Sequence, residues 1–435
     1  MPSDWIDDGA GLAWITSWAA SVQGPYPIGN SAAQPDLSRV FPSSETGARE
    51  LSFRLIVRPT LWGRAARIRM SNALGTKPVT FDGVFIGLQN AGAEITAGTN
   101  RAMTFGGKNS VTVAPGLSAW SDAVTLSFVR DPSANELAGR KLAVSFHVAG
   151  ESGPMTWHAK ALQSSYMTWP GAGAQGNAES EAAFPFATAS WYFLDALDMC
   201  ADEHAQDRAY AVVALGDSIT DGTASTMNGD DRWPDVLHRR LRAAYGNRIA
   251  VVNAGIGGNQ VVGPAVYPPP APLPPFLGGP SALSRLTRDV LSLSGVKAVI
   301  WLEGINDFSR RGNATFDAVA QGMREGVARM RAGIPGVCVI GATVVSALGS
   351  GNEAHGFTEE DGKRRQLNDF IRTSGVFDGV ADFDSVITDP RSGEMRAEFV
   401  PDNTLGGPGD KLHPNRLGNM AMGAMIDLKL LAPPQ

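Results

Sequence analysis

Residues 212–222 read VVALGDSITDG. Four apolar residues, Val212 to Leu215, run straight into Gly216, Asp217, Ser218 and Thr220, with Asp221 and Gly222 close behind. Taken alone, the polar burst fits a plain strand-to-helix turn, with glycine for backbone freedom and Asp or Ser as a cap. The same residue types also suit a reactive site at the end of a buried strand. The surrounding sequence decides between the two.

After residue 205 short apolar strands alternate with longer amphipathic helices. The strands are YAVVALG, RIAVVNAG, KAVIWLEG, GVCVIGATVV and DGVADF. Between and after them lie RWPDVLHRRLRAAYG, ALSRLTRDVLSL, TFDAVAQGMREGVARMRAG, TEEDGKRRQLNDFIRT and PNRLGNMAMGAMIDLKLL, all of helical character. Strands this apolar are covered on both faces, which predicts an α/β domain with a doubly wound parallel sheet. Such sheets bind ligands at the carboxyl ends of their strands, where residues 216–222 fall.

Before residue 205 the period is two. In LSFRLIVRP, Leu51, Phe53, Leu55 and Val57 alternate with Ser52 and Arg54, and ARIRMSN sets Ile68 and Met70 against Arg67 and Arg69. Turn signals such as NALGTKP and VRDPSAN punctuate these runs. The pattern predicts an all-β sandwich of jelly-roll type, with its arginines on the solvated faces of strands. The expected division is residues 1–204 and 205–435.

Composition narrows the setting. An apolar content of 43% and a charged content of 18% describe an ordinary globular chain, long enough for two or three domains. A net charge of -6, without a basic cluster, gives no reason to expect nucleic acid. No apolar run is long enough to span a bilayer, and MPSDWIDDGAGLAW has neither the basic nor the apolar region of a signal peptide. The compartment stays open: a trimmed signal would mean secretion or the periplasm, and otherwise the cytoplasm. Oligomeric state is equally open. Cys200 and Cys338 are too few for a disulfide framework or a cysteine-based metal site, and Cys338 reads as a small buried thiol.

Three further segments bear on the opening question. NAGIGGNQ (253–260) ends the second strand, EGINDF (303–308) ends the third, and DKLHPN (410–415) places Asp410 three residues before His413. All lie where an active site belongs in such a sheet. Together they supply a hydroxyl nucleophile, backbone donors, an amide donor and an imidazole with a carboxylate. GDSITDG, NAGIGGNQ, GIND and DKLHP resemble, in order and context, the four blocks of the SGNH hydrolases, also called GDSL esterases and lipases. The N-terminal half is similar, much less specifically, to the β-sandwich that precedes this domain in some bacterial relatives near xylan-cluster arylesterases.

The resemblance implies a flavodoxin-like catalytic domain and a serine esterase. It assigns Ser218 as nucleophile, His413 as general base and Asp410 as its orienting carboxylate. It builds the oxyanion hole from the backbone N–H groups of Ser218 and Gly258 and the side-chain amide of Asn306. Gly257 is the adjacent candidate. Asp217, Asn253 and Asp307 read as turn-stabilising. The local chemistry agrees: a serine hydroxyl needs a base within hydrogen-bond reach, and His413 is the only one of six histidines in an Asp-x-x-His arrangement on a loop. Pro414 favours an extended residue before it and suits the first turn of a helix after it.

Other signals carry less. GAGAQG (171–176) opens no helix and so does not read as a dinucleotide site. The carboxylates of NGDDRWPD read as a helix start, His158, His204 and His355 as surface or packing residues. No metal and no cofactor is expected. The proline-dense stretch 264–280 reads as a stiff loop, with Tyr267 and Phe276 as candidate substrate-binding residues in a wall of the acyl or alcohol pocket.

The expected substrate is a small-molecule or glycan ester, foremost a short-chain, acetyl-type ester of a carbohydrate or glycoside. Lipid, aryl and thioester substrates suit the same catalytic parts, and the non-enzymatic alternative is an inactive glycan-binding protein. The junction FLDALDMCADEHAQDRAYAVV lacks the composition of a flexible linker, which predicts that the two halves act as one unit. A fragment spanning residues 202–435 should therefore aggregate or lose much of its activity. Gel filtration and the rate on a short p-nitrophenyl ester check this, and a monodisperse, fully active fragment would contradict it.

Overall fold

The computed structural model describes residues 13–201, 209–264, 266–267 and 276–433. The chain divides into two compact units, Met1–Ala209 and Tyr210–Gln435. The expected boundary at 204/205 and His204 fall in 202–208, outside the described residues.

The first unit is built from antiparallel sheets. One has the order Trp14–Ala19, Leu194–Cys200, Ala65–Ser71, Ser118–Trp120, with Val124–Thr125 also paired to Ala65–Ser71. A second runs Phe186–Thr188, Ser165–Met167, Arg49–Val57, Leu142–Glu151, Val79–Leu88, Arg101–Ala102, with Ser110–Val113 on Val79–Leu88, and Trp157–His158 pairs with Trp191–Tyr192 in a third. The alternating apolar residues form its core: Phe53 stacks on Phe146 at 5.2 Å and packs on Tyr192 at 5.2 Å, while Phe81 meets Phe193 at 5.3 Å.

The opposite faces depart from the sequence reading. Arg54, expected in solvent, is fully buried. Its guanidinium donates to Ser145 Oγ at 2.9 Å, to the Ala93 carbonyl at 2.6 Å and to the Ala178 carbonyl, under the Phe184 ring. Burial lowers its pKa to about 10. Arg69 is likewise buried, 2.6 Å from Asp195. A period of two fixes which residues share a face, but not whether loops cover that face.

In the second unit all strands are parallel, in the order Ile249–Gly255, Tyr210–Gly216, Val296–Leu302, Cys338–Ala342, Gly379–Ala381. Numbered along the chain this is 2-1-3-4-5, the flavodoxin-like order, with its switch point between the first and third strands. Val212 to Leu215 are wholly buried. Gly216 pairs with Gly255 on one side and Leu302 on the other, so three strands end level. The helix Phe316–Gly333 buries Val319, Met323, Val327 and Met330, a stripe at helical spacing. Trp233–Tyr245 opens with Pro234 in its first turn and with Asp235 accepting the Arg232 N–H.

Two helices are shorter than their patterns suggest. ALSRLTRDVLSL is α-helical over Ala282–Leu286 and widens to a π-turn over Thr287–Leu291. The C-terminal helix covers Arg416–Met425, followed by a 3₁₀ turn, Leu428–Leu431. Cys338 is half-buried rather than buried, with Sγ 3.8 Å from the Leu430 carbonyl.

Arg54→Ala would strand the Ser145 hydroxyl, the buried Ala93 carbonyl and the part-buried carbonyls of Ala178 and Ser180. Losing buried charge-assisted hydrogen bonds costs roughly 3 kcal/mol. The unfolding transition of the β unit should move to lower urea, by that free energy divided by the urea m-value, as read by tryptophan fluorescence. An unchanged midpoint would mean the loops that cover Arg54 do not depend on it.

Candidate active site

The strand Tyr210–Gly216 delivers Ser218 through a tight turn. Asp217 is the N-cap of the short helix Ser218–Asp221, its carboxylate accepting the Ile219 N–H at 2.9 Å. Ser218 is the first helical residue, so its own N–H belongs to the orphan donors of a helix start. Asn253 holds the turn from the neighbouring strand, donating to the Thr220 carbonyl at 2.6 Å and accepting the Gly255 N–H at 2.8 Å. A Cβ on Gly255 would lie 2.3 Å from the Asp221 nitrogen, so only glycine lets the turn rest there.

The second part comes from the loop before the last helix. Lys411 is left-handed, at φ 56. That turn lets Asp410 Oδ1 accept the N–H groups of Leu412 and His413, each at 2.9 Å. Asp410 Oδ2 lies 2.6 Å from His413 Nδ1, and His413 Nε2 lies 2.8 Å from Ser218 Oγ. Ser350 anchors the loop by donating to the Asp410 carbonyl at 2.6 Å. Burial alone would raise the Asp410 pKa. The hydrogen bond and charge of His413, with the two N–H donors, hold the carboxyl well below the usual range.

The third part is the loop after Gly255. The Gly257 N–H is committed to Asp221 Oδ2 at 3.1 Å. Gly258 lies at φ 85, and its own N–H has no protein acceptor among the described residues, while the Asn259 N–H turns back to the Ile256 carbonyl at 3.1 Å. Asn306, on the short helix Ile305–Phe308, donates from Nδ2 to the Asn259 carbonyl at 3.0 Å. Asp307 accepts the Val261 and Val262 N–H groups at 2.8 and 3.1 Å. Burial, joined by the charge of Glu303, pushes the Asp307 pKa up to about 7 despite those donors.

The structure thus joins Ser218, His413 and Asp410 in one hydrogen-bonded chain and ties Asn306 to the loop that carries Gly258. Such a chain can activate a hydroxyl by passing its proton to the imidazole. Tyr267 and Phe276 are half-buried and lie outside that chain. The stretch between them, residues 268–275, lies outside the described residues. Near its end the Gly278 backbone packs on the Gly258 carbonyl, where a Cβ would come within 2.2 Å.

A model of the GDSL-like lipase/acylhydrolase family matches residues 214–421. Those residues are a GDSL-like lipase/acylhydrolase domain. The chain is accordingly a hydrolase acting on esters. Among solved structures it is similar to a lipase/acylhydrolase from Enterococcus faecalis, at 23% identity over 52% of this chain and 99% of that one, TM-score 0.37. The native aryl esterase of M. smegmatis shares 20% identity over 50% and 95%, TM-score 0.37. A carbohydrate acetylesterase family member from Sinorhizobium meliloti shares 18% over 51% and 99%, TM-score 0.37. No curated protein matches the chain.

Around the GDSL-like site stand residues that the sequence reading passed over. His355, read as a surface or packing residue remote from the motif blocks, is buried near the Asp410–His413 pair. Burial, with the His413 charge, lowers its pKa to about 4. Its loop is pinned on both sides: Ser350 bonds the Asp410 carbonyl, and the Ala354 carbonyl accepts the Arg310 N–H at 3.0 Å. No motif marks it. Asp221 and Asn259 lie inside the quoted blocks, yet their partners emerge only in three dimensions. Asp231 and Asp235 of NGDDRWPD accept the Thr226 and Arg232 N–H groups, at 3.0 and 3.2 Å. Among the described residues, no group of three His, Cys, Asp or Glu is placed to hold a metal ion.

The depressed Asp410 pKa sets a sign for stability. An acid whose folded pKa lies below its ordinary 3.8 contributes stability above that value and loses it as pH falls toward the folded pKa. Wild type should therefore exceed Asp410→Asn in stability at about pH 5, with the gap closing as the pH falls below about 4. Paired thermal melts from about pH 3 to 5 measure this. A gap that widens as the pH falls over that range would reverse the assigned coupling.

Proposed function

We propose that Ser218 is the nucleophile of a serine esterase, with His413 as general base and Asp410 holding the imidazole in its Nδ1–H tautomer. The observation that carries this reading is the unbroken chain Ser218 Oγ–His413–Asp410, at 2.8 and 2.6 Å. Ser218 Oγ attacks the ester carbonyl carbon while its proton passes to His413 Nε2. The carbonyl oxygen becomes an oxyanion, received by the Ser218 and Gly258 N–H groups and the Asn306 amide. Collapse expels the alcohol, which leaves with the proton from His413. Water, deprotonated by the same nitrogen, then releases the acid from the acyl-enzyme.

The substrate we propose is a short-chain, acetyl-type ester of a carbohydrate or glycoside. The likeness of the N-terminal half to sandwiches that precede this domain near xylan-cluster arylesterases supports it. Acetylated xylan beside p-nitrophenyl esters of increasing chain length tests it. Preference for long acyl chains would point to a lipid ester, and activity on aryl esters alone to an arylesterase.

Ser218→Ala should abolish hydrolysis and keep the fold, with a loss approaching ~10⁶ as for serine nucleophiles generally. His413→Ala should lose nearly as much and Asp410→Asn about 10⁴. Asn306→Ala should lower kcat by ~10²–10³ with KM little changed. Turnover by Ser218→Ala above about a tenth of wild type would rule out this mechanism.

A further inference from the structure

We propose that Arg285 is a positioning residue of the ester-hydrolysing site, one guanidinium that fixes the nucleophile strand and the oxyanion loop to each other. This rests on the functional reading above. Arg285 is 1% exposed. Nη2 donates to the Gly216 carbonyl at 2.8 Å, two residues before Ser218. Nη1 donates to the Ala254 carbonyl at 2.7 Å, at the end of the strand that leads into Gly257 and Gly258. Nε donates to Asn259 Oδ1 at 2.8 Å.

Asn259 carries the constraint onward. Its carbonyl accepts the Asn306 amide at 3.0 Å, and its own Nδ2 donates to the Pro280 carbonyl at 2.7 Å. One planar group therefore sets the spacing of the serine turn and the Gly258 loop, and reaches the Asn306 amide through a single intermediary. The sequence reading placed Arg285 on an ordinary amphipathic helix, where an arginine needs no explanation.

A buried guanidinium is expensive unless paired. Asp289 Oδ2 supplies the pairing at 3.0 Å, and Glu303 lies 3.8 Å away. Those two carboxylates would suffice for a merely neutralised arginine. Aiming the remaining donors at strand-end carbonyls beside two reactive segments is what a positioning role requires. Lysine cannot reproduce it, since an ammonium keeps the charge but lacks the rigid fork.

The full chain carries the test, in Arg285→Lys and in Asn259→Ala. The second leaves the guanidinium on Gly216, Ala254 and Asp289; it removes the Arg285 bond to the Asn259 side chain, with that side chain's bonds to the Gly278 and Pro280 carbonyls, and keeps the Asn259 backbone carbonyl that accepts the Asn306 amide. With p-nitrophenyl acetate, and active sites titrated by a covalent phosphonate, Arg285→Lys should lose about 10–100-fold in kcat with KM within about threefold. Asn259→Ala should lose about tenfold in the same pattern. Amide exchange should quicken over residues 254–262 in both, relative to the rest of the sheet. Wild-type kcat per titrated site in either folded variant would overturn the proposal. If wild type hydrolyses no ester, the functional reading fails first. The exchange data then decide Arg285 alone: faster exchange over 254–262 supports it, and unchanged exchange sinks it.

Discussion

The 2.8 Å hydrogen bond between Ser218 and His413 joins residues 195 positions apart, and most of the second unit answers to that demand. Tenths of an ångström decide whether a proton passes, so neither residue can ride on a loose segment. Ser218 sits two residues past the end of Tyr210–Gly216, an inner strand of the parallel sheet whose two neighbours end at the same level. His413 sits in a loop closed on itself by Asp410 and pinned by Ser350. The doubly wound topology makes the meeting possible, because every crossover returns the chain to the same edge of the sheet.

Legibility followed the range of the interactions. The parallel sheet is readable because apolar cover on both faces leaves a continuous apolar run, and the antiparallel sheets because one face packs on the apolar core while the other carries polar side chains, which leaves a period of two. The segments that meet at Ser218 were readable because each packs reactive side chains and turn formers within a few residues. Arg54, Arg285 and His355 were not readable as what they are. Their partners, such as Ser145 for Arg54 or Gly216 for Arg285, lie tens of residues away. A lone arginine in an alternating or amphipathic pattern looks the same whether a loop covers it or water does. The π-turn at Thr287–Leu291 was hidden for a related reason, since periodicity over so few residues cannot separate it from an α-turn.

Charge at the buried edge raises a further constraint. The proposed reaction develops an oxyanion beside Asn306, and Asp307, the next residue, is fully buried. A bare carboxylate there would oppose the developing charge at low dielectric. The fold turns it away instead: Asp307 faces the N–H groups of Val261 and Val262, so any charge it carries is met by donors that also shape the oxyanion loop. Glu303, just past the end of the strand Val296–Leu302, accepts the Trp301 indole N–H at 2.8 Å and faces Arg285, and burial raises its pKa as well. Both carboxyls thus favour the protonated form more than a surface acid does, while Asp410, in the half-exposed loop, is pushed the other way. Negative charge is kept where it stabilises an imidazolium and weakened where it would repel an oxyanion. That separation needs acids in two environments, which is what a strand end and an opposing surface loop provide.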